Sequence, residues 1–97
     1  METIPDQWIG MRSWRRDMLV ALAEADEPLS APELHRQMSH VKNRQSKPPV
    51  YDNLSHLQGL GYVTREQVDG RKNEYKLTED GREFVEEVIG SLARVVA

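Results

Sequence analysis

The 97-residue sequence contains no cysteine. Disulfides, thiolate zinc sites and cysteine nucleophiles are thereby excluded, and stability has to come from packing. No apolar run approaches the roughly 20 residues that a membrane helix needs, so no membrane partner is expected. The opening residues, Met1-Glu2-Thr3-Ile4-Pro5-Asp6, lack the basic and apolar segments of a secretory leader, and the expected compartment is the cytoplasm. Phosphate loops, Ser-His-acid groupings and paired-carboxylate sites are missing too. His35 and His40 are five residues apart, on different faces of a helix, whereas two imidazoles share a metal at i and i+4. Ser30, Ser46 and Thr78 read as caps or turn residues. The expectation is no enzyme, no metal and no cofactor.

An overall excess of positive charge is also lacking: the chain sums to −3, which by itself argues against a phosphate-rich partner. Its distribution argues the other way. Residues 35–76 carry eight Lys or Arg (Arg36, Lys42, Arg44, Lys47, Arg65, Arg71, Lys72, Lys76) against four acids (Asp52, Glu66, Asp69, Glu74). A basic middle lies between acidic ends, a pattern suited to contact with nucleic acid.

What is present is a punctuated series of short elements in one domain, 1–97. Met11, Trp14, Met18, Leu22 and Ala25 form a helical stripe, predicting a first helix over about 5–25. Trp8 lies a turn earlier. Cover of the chain's own core and contact with a second subunit are both open to it. Asp26-Glu27-Pro28 breaks the helix, and Leu29 is placed in a short strand. Ser30-Ala31-Pro32-Glu33 is a capping box, opening a second helix over about 30–41 with Leu34, Met38 and Val41 on one face. The polar loop that follows, with Lys42, Arg44 and Lys47, reads either as a phosphate contact or as a solvated connector.

Pro48 and Pro49 can start a helix but not continue one, which sets a third helix over 48–58. Val50, Leu54 and Leu57 share its inner face; Asp52, Ser55 and His56 fall opposite. Gly59 and Gly61 end it. Val63–Val68 and Asn73–Leu77 alternate as strands around Asp69-Gly70-Arg71-Lys72, predicting a hairpin over 62–77. Thr78 caps a last helix, 79–96, with Glu79 and Asp80 at its positive end. Its Phe84, Val85, Val88, Ile89, Leu92, Val95 and Val96 lie within an arc of about 140°. At 1.5 Å per residue the helix runs roughly 25 to 30 Å, longer than a small three-helix core needs. A partner is expected to cover the excess.

The run Val50-Tyr51, Leu54, Leu57, Gly61-Tyr62-Val63, then Gly70-Arg71, Tyr75-Lys76-Leu77-Thr78 and Gly81-Arg82 resembles the central pattern of PadR-like and MarR-like transcriptional regulators. Ser30-Ala31-Pro32-Glu33-Leu34 departs from the usual Gly-Tyr-containing start of the second helix in PadR proteins. The resemblance implies a mostly α fold with a small β-wing (α+β), a winged helix-turn-helix whose long terminal helices pair across a two-fold axis. It implies a homodimeric repressor that reads double-stranded DNA. DNA contact is then expected from Lys42, Arg44, Lys47, Pro49, Tyr51, Ser55 and His56 on the recognition helix and the loop before it, and from Arg71 and Lys72 at the wing tip. Tyr51 has a second reading, as a flank of the core. Dimer contact is expected from Trp8, Phe84, Val85, Val88, Ile89, Leu92, Val95 and Val96. A small-molecule effector is not identified by the sequence. The rival reading is a winged-helix module that binds protein and no DNA, favoured by the net negative charge and by Asp52.

Overall fold

In the computed structural model the described residues are 4–42, 49–70 and 72–96, without the side chains of 39–42. Their order is α1 (Asp6–Ile9), α2 (Ser13–Glu24), β1 (Leu29–Ser30), α3 (Ala31–Lys42), α4 (Val50–Gly59), β2 (Val63–Asp69), β3 (Lys72–Leu77) and α5 (Glu79–Val96). β3 is the centre of a three-stranded antiparallel sheet, with β1 and β2 on its two sides. Leu29 pairs with Tyr75 and Val63 with Leu77. The hairpin slips register between Gln67 and Asp69, a bulge that bends the wing before its tip.

The helical stripes meet in one core. Met18, Leu19 and Leu22 of α2, Leu34 and Met38 of α3, and Val50, Leu54 and Leu57 of α4 pack with Val63, Tyr75 and Leu77 of the sheet and with Phe84 and Val85 of α5. The capping box forms as its residue types dictate. The Glu33 N–H donates to the Ser30 hydroxyl (3.3 Å), while the Ser30 N–H and hydroxyl both donate to the Glu33 carboxylate (3.3 and 2.8 Å). Charge favoured by the Ser30 hydroxyl, then by its N–H, holds the Glu33 pKa below the ordinary 4.5.

The first helix differs from the continuous 5–25 element that the spacing predicts. It breaks at Gly10–Arg12, where Arg12 is extended and stands ahead of Ser13 as the cap of α2. The break has a clear partner: Arg16 donates from Nε to the Trp8 carbonyl (2.9 Å) and from its terminal nitrogen to the Ile9 carbonyl (2.6 Å). The Trp8 carbonyl also accepts the Met11 N–H (3.1 Å), and the same guanidinium lies 5.5 Å from the Trp8 ring centre. Released from the helix axis, Trp8 turns onto Phe84, ring centres 6.2 Å apart.

Helix α4 ends in a Schellman-type turn, with Tyr62 N–H donating to Leu57 and Gly61 N–H to Gln58, both at 3.0 Å. Gly61 adopts φ +82°, a conformation costly for any residue with a Cβ. Tyr62 then stacks on Phe84 at 4.6 Å, and its hydroxyl donates to Gln7. Burial, then Asp80 and Glu87, raises its pKa above 10.0. Its carbonyl accepts the Thr78 N–H (3.0 Å), and the Thr78 hydroxyl donates to the Gly61 carbonyl (2.6 Å) while accepting from the Gly81 N–H (3.0 Å). The exit of α4 is thus fastened to the start of α5.

Helix α5 divides its apolar arc between two environments. Phe84, Val85 and Val88 are buried within the chain, whereas Ile89, Leu92, Val95 and Val96 are exposed, the last at 83%. This moves Phe84, Val85 and Val88 from the expected subunit contact to the chain's own core, because the first half of α5 lies over the sheet and α2. Trp8 is likewise half-buried on its own chain.

Candidate nucleic-acid interface

Helix α4 begins at Val50, two residues after the predicted start, because Pro49 serves as its cap rather than its first residue. The Pro49 carbonyl accepts both the Asn53 N–H (3.2 Å) and the Asn53 side-chain amide (2.8 Å). The side-chain Oδ1 of Asn53 in turn accepts from Nε of Arg15 at 3.0 Å. Asn53 is only 4% exposed, and this chain of bonds satisfies it while tying the first turn of α4 to α2. Neither residue stands out in the sequence as part of the site. An Asn four residues after Pro49, on the flank of an apolar stripe, is the signal that a buried polar link leaves.

With Val50, Asn53, Leu54 and Leu57 turned inward, the outward face of α4 carries Tyr51, Asp52, Ser55 and His56. Pro49 is exposed at its head. Tyr51 is 67% exposed, so it belongs to this outward face and not to the core flank. Two clefts border the face. On the Tyr51 side, a cleft of about 490 Å3 is lined by Ser30, Pro32, Tyr51, Lys72 and Asn73, between the start of α3 and the wing. On the His56 side, a shallower one of about 280 Å3 is lined by Gln7, Met11, Arg15, His56 and Leu60. Helix α4 therefore stands as a ridge between two grooves.

Lys72 is exposed at the wing and lies 3.8 Å from Glu74, while Lys76 lies 3.7 Å from Glu66 across the hairpin. Exposed pairs of this kind contribute about 0–1 kcal/mol and are easily exchanged for another anion. Tyr51, Ser55 and His56 thus share the outward face of α4 with Pro49 at its head, and Lys72 shares a cleft with Tyr51. Arg44, Lys47 and Arg71, and the side chain of Lys42, lie outside the described residues. Among the described residues, no group of three or more His, Asp or Glu is arranged to hold a metal. No helix among them is long and apolar enough to cross a membrane.

Comparison with known proteins bears on this arrangement. H. salinarum RosR superposes with a TM-score of 0.74 at 26% identity, covering 91% of this chain and 80% of that one. MepR, a transcription regulator of the Staphylococcus aureus multidrug efflux pump MepA, gives 0.71 at 17% identity, over 92% of this chain and 63% of its own. PerR from Streptococcus pyogenes gives 0.63 at 20% identity over 74% and 50%. These likenesses show a winged-helix regulator fold. No curated protein matches the chain. The model of the transcriptional regulator PadR-like family matches residues 18–87, including the unusual Ser30–Leu34 segment. Spanning well over half of the chain, that match shows that the protein belongs to the PadR-like family of transcriptional regulators.

Proposed function

We propose that this regulator is a homodimeric repressor that reads a two-fold-symmetric site in double-stranded DNA, one α4 helix per half-site. The observation that carries the reading is the outward face of α4, where Tyr51, Ser55 and His56 project, exposed, between two grooves, with none of the other described elements laid across them. A helix of this width fits the major groove, and polar side chains on its outward face meet base edges. Tyr51 and Lys72 lie on the wing side and contact the flanking phosphates, aided by Lys42, Arg44, Lys47 and Arg71 from the basic middle of the sequence. Asp52 accepts from a cytosine amino group or holds a neighbouring cation.

Dimerisation rests on the second half of α5. Ile89, Leu92, Val95 and Val96 are exposed on a helix whose Phe84, Val85 and Val88 are already buried. A second copy covers them by presenting the same face, as two-fold pairing requires. Occlusion of a promoter by such a dimer accounts for repression.

Fluorescence anisotropy on the protein's own upstream DNA and on random duplex, from about 50 to 200 mM salt with mass measured in parallel, tests the reading. The expected result is a dimer that prefers its own sequence and loses affinity steeply with salt. Absence of binding to either duplex at low salt overturns it in favour of a protein-binding winged helix. Charge reversal at Arg71 and Lys72 abolishes DNA binding while leaving the dimer intact.

A further inference from the structure

The sequence directs attention to the wing side of α4, but the opposite groove is lined by a cation of its own, Arg15, with Arg12 one turn away. Three arginines, Arg12, Arg15 and Arg16, stand at the start of α2, whose first turn holds no acidic residue. Their roles separate cleanly. Arg16 is committed to the Trp8 and Ile9 carbonyls and to the Trp8 ring. Arg15 uses Nε to hold Asn53 and lines the groove beside His56. Arg12 is exposed and, among the described residues, neither Arg12 nor the terminal nitrogens of Arg15 make an ion pair or a hydrogen bond. Positions 12 and 15 are three apart, and the Arg15 N–H donates to the Arg12 carbonyl at 3.0 Å, so the two side chains leave the same turn.

We propose that Arg12 and Arg15 form a second phosphate-binding edge, on the side of α4 away from the wing. This rests on the DNA reading and adds to it the backbone contact of the other strand. A helix seated in the major groove has a sugar-phosphate wall on each side, and a basic edge on one side alone leaves the other wall unmatched. The Tyr51 side of α4 faces Lys72; the His56 side faces Arg15. Arg15 is also pre-positioned, because its bond to Asn53 fixes the guanidinium against the first turn of the same helix that enters the groove. An arginine so held loses little side-chain freedom on meeting a phosphate.

The test compares the salt dependence of binding to the protein's own upstream duplex and to random duplex for the wild type, Arg12→Gln, Arg15→Gln, Arg15→Lys and Lys72→Gln. Each phosphate contact removed lowers the magnitude of the log–log salt slope by about 0.9 per protomer. Arg12→Gln is expected to show that decrease with the ratio of specific to random affinity unchanged. Arg15→Gln is expected to show the same decrease, and Arg15→Lys to restore most of the slope by keeping the charge. Among the described residues the Arg12 side chain has no partner to lose, so its result does not depend on how the fold tolerates changes at Arg15.

Unchanged slopes in Arg12→Gln and Arg15→Gln, with Lys72→Gln reduced, overturn the second edge and leave the DNA reading standing. A loss confined to position 15 that Lys fails to restore also overturns it, marking Arg15 as a support for Asn53 alone. Failure of the wild type to bind any duplex overturns both.

Discussion

Gly81 is the position where the smallest possible substitution has the largest worked consequence. A Cβ built there falls 2.1 Å from the Tyr62 carbonyl oxygen and 2.9 Å from its carbon, a backbone obstacle that no side-chain rotation relieves. Accommodating Ala requires α5 and the Tyr62 peptide to separate by about 1 Å, an overpacking strain of about 1–3 kcal/mol. The same separation stretches the Thr78-to-Tyr62 hydrogen bond of 3.0 Å, worth a further 0.5–1.5 kcal/mol or so. Against this stands the better helix propensity of Ala, about 1 kcal/mol at most and less in a first turn. The net expectation for Gly81→Ala is a loss of about 1–3 kcal/mol. For a domain of this size that lowers Tm by roughly 5 to 20 °C. Gly90→Ala is the internal control. It lies in the same helix, and its Cβ would meet only Arg94 Nη1 at 3.8 Å, an ordinary contact. It should gain about 0.5–1 kcal/mol. Both variants are melted at one protein concentration, since association makes Tm concentration-dependent. A Gly81→Ala protein as stable as Gly90→Ala would refute the account of the α4–α5 junction.

Ser30→Ala removes the capping hydroxyl and should cost about 1 kcal/mol in chemical denaturation at neutral pH. Because the Glu33 pKa is lowered in the folded state, its contribution is present above 4.5 and lost as pH falls through the lower folded value; Ser30→Ala should flatten that acid-side loss. Tyr62 has the opposite sign. Its raised pKa means a contribution fully present below 10.0 and lost as pH rises through the folded value, and Tyr62→Phe, which keeps the stack on Phe84, should remove this alkaline loss from the stability profile. Leu92→Asp places a charge on the exposed apolar half of α5 and should shift a dimer to monomer in sedimentation without lowering helix content; a dimer that persists at micromolar concentration would remove that face from the interface.

Local chemistry was legible wherever cause and effect lie within a few residues. The Ser30–Glu33 box, the stop at Gly61 and the full span of α5 depend on capping, backbone freedom and a 3.6-residue period, all of which are written in neighbouring positions. The basic middle and the outward face of α4 were legible for the same reason. The break after Ile9 was not, because it depends on Arg16 reaching back to two carbonyls and on Trp8 finding Phe84, some 76 residues away in the chain. Nor was the Arg15–Asn53 link, 38 residues long, which makes a buried amide tolerable and brings an arginine to the side of α4.

The sequence by itself determined the elements from Leu29 onward, their order and the existence of a long apolar face on α5. Only the tertiary structure decided how that face is shared, with Phe84, Val85 and Val88 inside and Ile89, Leu92, Val95 and Val96 outside. Periodicity reports that a face avoids water, since every apolar residue on it loses the same hydration penalty when covered. What covers it depends on where distant segments come to lie, and here, among the described residues, burial on α5 ends at Ser91, leaving the last turns exposed.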